Sequence, residues 1–429
     1  MPSKSWVPVP EGCHFPLDNI PFGIISTSAS SKPRPAIAIG ELALDLQLFA
    51  TGEGFKGLPD FAEHVSVFNQ STLNAFATLG QSTHRSVRRY LQNVFNDETN
   101  HPEILKTNQA LRDEALVPLT DVTNHLPMTI GDYTDFFAGV NHAFNVGTMF
   151  RGPANALQPN YKHLPVGYHG RSSSVVVSGT PIRRPCSQVL ETPTANTPTF
   201  MASRRLDIEL ELGAFLCKAT KMGDNIPIER AEEAIFGYVL LNDWSARDIQ
   251  TWEYVPLGPF NAKNFGTTIS PWVVLVDALE GFRCAGIQND QEVLPYLQEP
   301  KKDNCLNIEL EVGLQTSSGT STIVSRTNSS NLLWSFPQMI AHHSIGGCPM
   351  NVGDLLGSGT ISGTEAGTYG SLLEACGGGK RDIDLANGET RKFLQDGDTV
   401  VIKGSCSMNG QVIVGFGDCS GTTVSAHKR

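Results

Sequence analysis

The run Leu206-Asp-Ile-Glu-Leu-Glu-Leu212 alternates apolar and acidic side chains without a break. That is the period-two pattern of a half-buried strand, which sets Asp207, Glu209 and Glu211 on one face with neighbours roughly 6–7 Å apart. Three carboxylates in a row repel one another. A cation held among them is one way to satisfy them, and a solvated strand face is the other. Leu306–Val312 reads Leu-Asn-Ile-Glu-Leu-Glu-Val, nearly a copy, so the pattern does not decide between the two. Other residues suited to chemistry lie on both sides of it. Asp135 and His142 stand seven apart with Gly139 between them in a turning loop. Tyr168, His169 and Arg171 share a glycine-flanked segment of the kind that often carries sites. An apolar strand ends at Asp243, with Arg247 one helical turn later and Gln250 three residues further on. Lys263 lies among aromatic residues and glycine, desolvated and reactive or merely extended to solvent. The turn Gly357–Gly363 offers backbone N–H groups to an anion, and Glu374 follows it.

The elements that must position these residues are mostly strands. Ile37–Gly40 and Leu42–Leu48 read as strands near the start. A helical block follows, with helices expected near 59–68 and 71–79. The clearest spans 82–96, where Val87, Tyr90, Leu91, Val94 and Phe95 recur at helical spacing while Arg85, Arg88 and Arg89 face solvent. A boundary near residue 125 separates this part from a larger one that reads strand, turn, strand. Val175–Ser178, Leu206–Phe215, Phe236–Asn242, Trp272–Asp277, Leu306–Gln315, Thr399–Lys403 and Gln411–Phe416 are its strands, with helices near 228–235 and 332–343. The expected organisation is a mainly β, α+β chain. Residues 1–125 form one domain and 126–429 a larger β domain holding the chemistry.

Composition narrows the function. The chain has 429 residues, 40% hydrophobic and 17% charged, with 41 glycines and 26 prolines, as expected of short strands joined by tight turns. A net charge of −11 with no basic cluster argues against a nucleic-acid partner. No apolar run approaches the ~20 residues that span a bilayer, so no membrane partner is expected. The first residues lack the apolar core of a signal peptide, and the last carry no retention or peroxisomal signal. Nine scattered cysteines without a Cys-x-x-Cys pair fit reduced thiols in the cytosol.

Several segments resemble the fumarylacetoacetate hydrolase family over the whole length of the chain. The densest are Met149-Phe-Arg-Gly, Leu164-Pro-Val-Gly-Tyr-His-Gly-Arg171, Asn242-Asp-Trp-Ser-Ala-Arg-Asp-Ile-Gln250 and Trp252-Glu-Tyr-Val-Pro-Leu-Gly-Pro-Phe260. The resemblance implies an N-terminal SH3-like barrel with helices and a C-terminal mixed β-sandwich or roll. It implies hydrolysis of the carbon–carbon bond of a 1,3-diketo acid, by a homodimer with Mg²⁺ or Ca²⁺. It places metal ligands on Asp135, Glu209, Glu211 and Asp243, with Lys263, Gly266 and Thr267 in the metal region. Asp207 is not among them. His142 falls on the general base and Glu374 on its orienting carboxylate. Arg247, Gln250 and Lys263 fall on electrostatic stabilisers, and Arg151, Tyr168, Tyr254 and Thr360 on substrate contacts. Phe137 stands where the family often has tyrosine, which removes one hydrogen bond worth roughly 0.5–1.5 kcal/mol. Two rivals remain at this point. One is an acylpyruvate hydrolase or another 2-oxo acid enzyme of the same superfamily; the other is a non-catalytic scaffold with the same fold.

Overall fold

A computed structural model describes residues 3–192 and 194–428. The chain opens with an antiparallel meander: β1 (Phe22–Thr27), β2 (Arg34–Ile39) and β3 (Leu42–Asp45). The strand expected to reach Leu48 stops at Asp45. Its carboxylate accepts the amide of Leu48 at 3.0 Å and caps helix α1 (Leu46–Thr51), a local bond that competes with strand pairing. β4 (Leu116–Pro118) and β5 (Val122–His125) complete a five-stranded sheet in the order β4-β3-β2-β1-β5. Between α1 and β4 lie a 3₁₀ stretch at Pro59–Asn69, one helical turn at Asn74–Ala77, and helix α2 (Gln81–Phe95).

The apolar stripe of α2 is buried as its spacing requires. Of its arginines, Arg85 and Arg89 are exposed as their positions predict, but Arg88 is not. Arg85, Arg88 and Arg89 converge on Asp277, at 2.5, 2.6 and 3.3 Å, and Arg88 is itself buried, donating also to the carbonyl of Asn19. Helical periodicity could not show this, because the acid that collects them is about 190 residues away in sequence.

Two sheets follow. The larger runs β7-β6-β14-β9-β10-β11-β8, from strands β6 (Tyr133–Phe136), β7 (Gly167–His169), β8 (Val175–Val177), β9 (Leu210–Leu216), β10 (Ile235–Asp243), β11 (Thr267–Ile269) and, later, β14 (Leu355–Gly357). It is mixed: β14 runs parallel to β6 and β8 parallel to β11, and the other pairs on this path are antiparallel. The second sheet contains β12 (Glu309–Gln315), β13 (Ser321–Asn328), β15 (Thr399–Met408) and β16 (Gln411–Val424), in the order β13-β12-β15-β16, with Ile182–Arg183 beside β16. The Trp272–Asp277 strand shrinks to Val274–Leu275 and turns at once into a short helix, Val276–Leu279, which delivers Asp277 to α2. The expected 332–343 helix is Phe336–Ser344, fixed by a Ser335–Gln338 capping box.

The larger sheet is buried on both faces. Leu210, Leu212, Ala214 and Leu240 pack with the second sheet, while Phe215, Phe236, Val239, Leu241 and Ile269 join one core with Phe22, Phe49, Phe68 and Phe76 from the N-terminal elements. Two-sided burial explains why β10 reads as a continuous apolar run, Ile-Phe-Gly-Tyr-Val-Leu-Leu, rather than an alternating one.

That shared core contains His84, whose Nε2 donates to the carbonyls of Phe76 and Ala77 at 3.0 and 3.1 Å between the rings of Phe76 and Phe236. Burial holds its pKa down at about 4. An unfolded histidine titrates near 6.5, so between pH 6.5 and 4 the unfolded chain binds the extra proton and stability falls as pH falls. The full effect is about 3 kcal/mol. Urea unfolding midpoints measured across this window are expected to drop in the wild type and to drop less in His84→Gln; equal slopes would remove His84 as the cause.

Candidate active site

Three strands of the larger sheet bring the carboxylates together. Asp135 is two residues from Tyr133 on β6, Glu211 four before Phe215 on β9, and Asp243 two after Leu241 on β10, so period-two geometry places all three on the face that meets the N-terminal core. One oxygen from each lies within 4.8 Å of the other two. Between β6 and β9 runs β14, whose Gly357 pairs with both Asp135 and Gly213. A Cβ on Gly357 would stand 2.8 Å from Asp135 Oδ1, 3.0 Å from Glu211 Oε2 and 3.2 Å from the hydroxyl of Tyr133. Three oxygens thus converge on a point that only glycine leaves open.

The electrostatics of the triad point to a cation. Asp135 Oδ1 and Glu211 Oε1 are buried acceptors with no donor among the described residues. Burial, and after it the neighbouring carboxylates, pushes both residues well above the usual carboxylate range, and burial lifts Asp243 to about 6 despite Lys263. Buried acids crowded in this way hold either protons or a positive ion. An all-oxygen set of carboxylates suits a hard divalent cation, so the triad could hold a metal.

Glu209 stands beside the triad. Burial opposes its charge, but ion pairs to Lys263 and to Arg247 Nη1 (2.7 Å) outweigh burial and hold its pKa below the ordinary carboxylate value. Lys263 bridges Glu209 and Asp243; burial disfavours its charge, but those two acids raise its pKa above a free lysine's. Tyr168 on β7 donates to Asp243 at 3.3 Å, and Thr267 Oγ1 lies 3.5 Å from the same carboxylate. Gly266 packs under Ile182 and Trp244 next to Thr267.

Helix α3 (Val140–Arg151) supplies the imidazole. Gly139 precedes it because the backbone of Thr360 passes so close that a Cβ would meet its carbonyl at 2.0 Å. His142, in the first turn, is 2% exposed, and its Nδ1 donates to Glu374 Oε2 at 2.6 Å. Because a carboxylate only accepts, that bond fixes the proton on Nδ1 and leaves Nε2 free, 3.8 Å from Glu209. Glu374 sits on the single turn α5 (Leu372–Ala375). Asn145, Ser362 and Ser371 donate to it as well, at 2.8–2.9 Å. Burial alone would raise Glu374, but His142 and these donors hold it down. Asn145 was legible in principle, since it lies three residues after His142 on the same helix face; Ser362 and Ser371 carried no such signal.

These groups face a cavity of about 400 Å³ lined by Asp135, Phe137, His142, Arg151, Tyr168, Glu209, Glu211, Arg247, Gln250, Tyr254, Lys263 and Thr360. Asp243, Glu374, Gly266 and Thr267 support it from behind. Arg247 and Gln250 do not follow Asp243 by one helical turn. The chain first makes a short strand, Ser245–Ala246, and helix α4 (Arg247–Glu253) starts at Arg247, so that Arg247 Nη1 donates to Gln250 Oε1 at 3.3 Å. The Gly357–Gly363 turn does meet an anion, since the amide of Gly359 donates to Glu211 Oε2 at 3.0 Å. Phe137 sets its ring edge-to-face against His142, centroids 5.7 Å apart. Val146, Phe150, Thr251, Leu257 and Pro259, which also line the cavity, had no distinguishing pattern in sequence.

The N-terminal fumarylacetoacetase profile matches residues 18–127, and the fumarylacetoacetate hydrolase C-terminal profile matches residues 133–422. The chain is 60% identical to a fumarylacetoacetase of Aspergillus fumigatus over 428 residues, 99% of both chains. It is 47% identical to the fumarylacetoacetase of Homo sapiens over 424 residues, covering 98% of this chain and 99% of that one. A fumarylacetoacetate hydrolase structure from Exiguobacterium antarcticum shares the fold, with a TM-score of 0.50 at 14% identity over 95% of this chain and all of the other. Full-length matches at this identity, with both profiles in order, leave one assignment: the chain belongs to the fumarylacetoacetate hydrolase family.

Proposed function

We infer that this chain hydrolyses 4-fumarylacetoacetate to fumarate and acetoacetate, the last step of tyrosine and phenylalanine breakdown. The observation that carries the reading is the His142–Glu374 pair, which faces the acidic triad across one cavity in a chain whose full-length relatives bear the name fumarylacetoacetase. The N-terminal profile match favours it over an acylpyruvate hydrolase, whose superfamily branch typically lacks that segment.

The bond to be broken joins the fumaroyl carbonyl carbon to the carbon between the two ketones. His142 Nε2 takes a proton from water as its oxygen attacks the fumaroyl carbonyl, and Glu374 stabilises the imidazolium that forms. The oxyanion collects on donors already in place. Arg247 Nη2 is buried with no hydrogen-bond partner among the described residues, and Gln250 and Lys263 stand next to it in the wall of the cavity. Collapse of the oxyanion releases acetoacetate as a carbanion, and the proton held by His142 returns to it. Asp135, Glu209, Glu211 and Asp243 would hold Mg²⁺ or Ca²⁺, which supplies a Lewis acid for the diketone oxygens. Arg151, Tyr168, Tyr254 and Thr360 orient the substrate, with Phe137 as an apolar wall. The reading includes a homodimer located in the cytosol, and none of the described helices is long and apolar enough to cross a membrane.

The direct test follows the absorbance of fumarylacetoacetate. Consumption that stops on chelation and returns with Mg²⁺ or Ca²⁺ is expected. No consumption in the presence of Mg²⁺ would end the reading.

A further inference from the structure

Asp207 completes the acidic run by sequence but not in space. The strand breaks between Leu206–Asp207 and Leu210, and the first piece pairs with Ser245–Ala246 instead. The Asp207 carboxylate, fully buried, is not among the oxygens that make up the triad. Its Oδ1 accepts the amides of Ile208 and Leu372, both at 2.8 Å, and its Oδ2 accepts Arg247 Nε at 2.8 Å and the amide of Leu373 at 3.0 Å. One carboxylate therefore ties down two parts of the machinery: the guanidinium that faces the cavity, and the single turn α5 that carries Glu374. Asp207 lines no part of the cavity itself.

We propose that Asp207 is a positioning residue that locks Arg247 and the Glu374 turn to each other, so that the oxyanion donor and the base's orienting acid keep a fixed separation. Two alternatives open to these groups show why the lock matters. Arg247 has a competing partner in Glu209, 2.7 Å from Nη1, which would draw the guanidinium toward the triad once Nε were released. The turn α5 has only four residues and one side-chain cap, Ser371, which serves the amide of Glu374 rather than those of Leu372 and Leu373. Without Asp207 those two amides are buried donors lacking an acceptor.

This inference rests on the hydrolytic reading above. Its test is Asp207→Asn, measured beside the wild type with fumarylacetoacetate. The expected result is a fall in kcat of about 100-fold, the scale of a misplaced catalytic group, with calorimetric affinity for Ca²⁺ or Mg²⁺ unchanged. Cycles with Arg247→Lys and with Glu374→Gln should show losses that fall well short of multiplying, since each pair acts as a unit. A purely structural role would lower the melting temperature and let the losses multiply. Wild-type kcat in Asp207→Asn, or fully multiplicative losses in both cycles, would overturn the proposal. An inactive wild type would overturn the hydrolytic reading instead. Should Asp207→Asn fail to fold, Asp207→Glu, which keeps the charge but shifts it by one methylene, is read in the same way: unchanged kcat there overturns the proposal.

Discussion

Replacing His142 by alanine is expected to lower kcat by about 10²- to 10⁴-fold, the range supplied by a placed general base. The expectation is specific because His142 touches little besides the reaction. Its Nδ1 is held by Glu374, its ring lies against Phe137, and Nε2 is left to accept a proton from water. None of the triad's oxygens depends on it, so cation affinity by calorimetry and the thermal melt should remain close to those of the wild type. Glu374→Ala should approach the same loss by a different route: without that acceptor the imidazole is free to change tautomer and to turn. Retention of most of the activity by either variant would remove the pair from the mechanism.

Asp135→Ala should act on the cation instead. One of three oxygens within 4.8 Å of one another disappears, and affinity should fall by at least the roughly 10- to 100-fold that loss of a mere supporting residue costs. The sign of a second effect makes the prediction sharper. Burial and mutual repulsion hold the pKa values of Asp135 and Glu211 high and that of Asp243 at about 6, so protons compete with the cation and wild-type affinity should weaken as pH falls through 6. Removing Asp135 relieves that repulsion. The cation-free variant should therefore melt no lower than the cation-free wild type, while added Ca²⁺ or Mg²⁺ should stabilise only the wild type strongly. Unchanged affinity in a titration would show that Asp135 is not a ligand.

How much of this was legible in the sequence varies residue by residue. Alternation placed Glu211 on a strand, although Glu209 falls in the break just before it, and the flanking motifs placed Asp135, Asp243, His142 and Glu374, which the fold brings to the lining of one cavity or directly behind it. Alternation failed at Asp207 because a side-chain bond to the next amide interrupts the strand there. The copy at Leu306–Val312 shows what period alone omits. On β12 Glu309 is exposed and Glu311 pairs with Arg326 on β13, since this sheet keeps that face open, whereas the corresponding face of β9 is roofed by the N-terminal core. The same reason hid Arg88. What lies over a face is decided by segments more than a hundred residues away, and local spacing carries no record of them.

The sharing of one core between the N-terminal elements and the back of β9 and β10 has a consequence for how damage to this protein would present itself. Phe215 and Val239 sit on the strands that carry Glu211 and Asp243, and they pack among residues contributed by the first hundred of the chain. A substitution at Phe22 or Phe76 touches no catalytic group, but loosening the layer by 1–2 kcal/mol is enough to change cellular abundance several-fold. Such a lesion would pass as an enzyme deficiency while each surviving molecule kept its full turnover, and a stabilising small molecule, rather than a replacement catalytic group, would be its remedy.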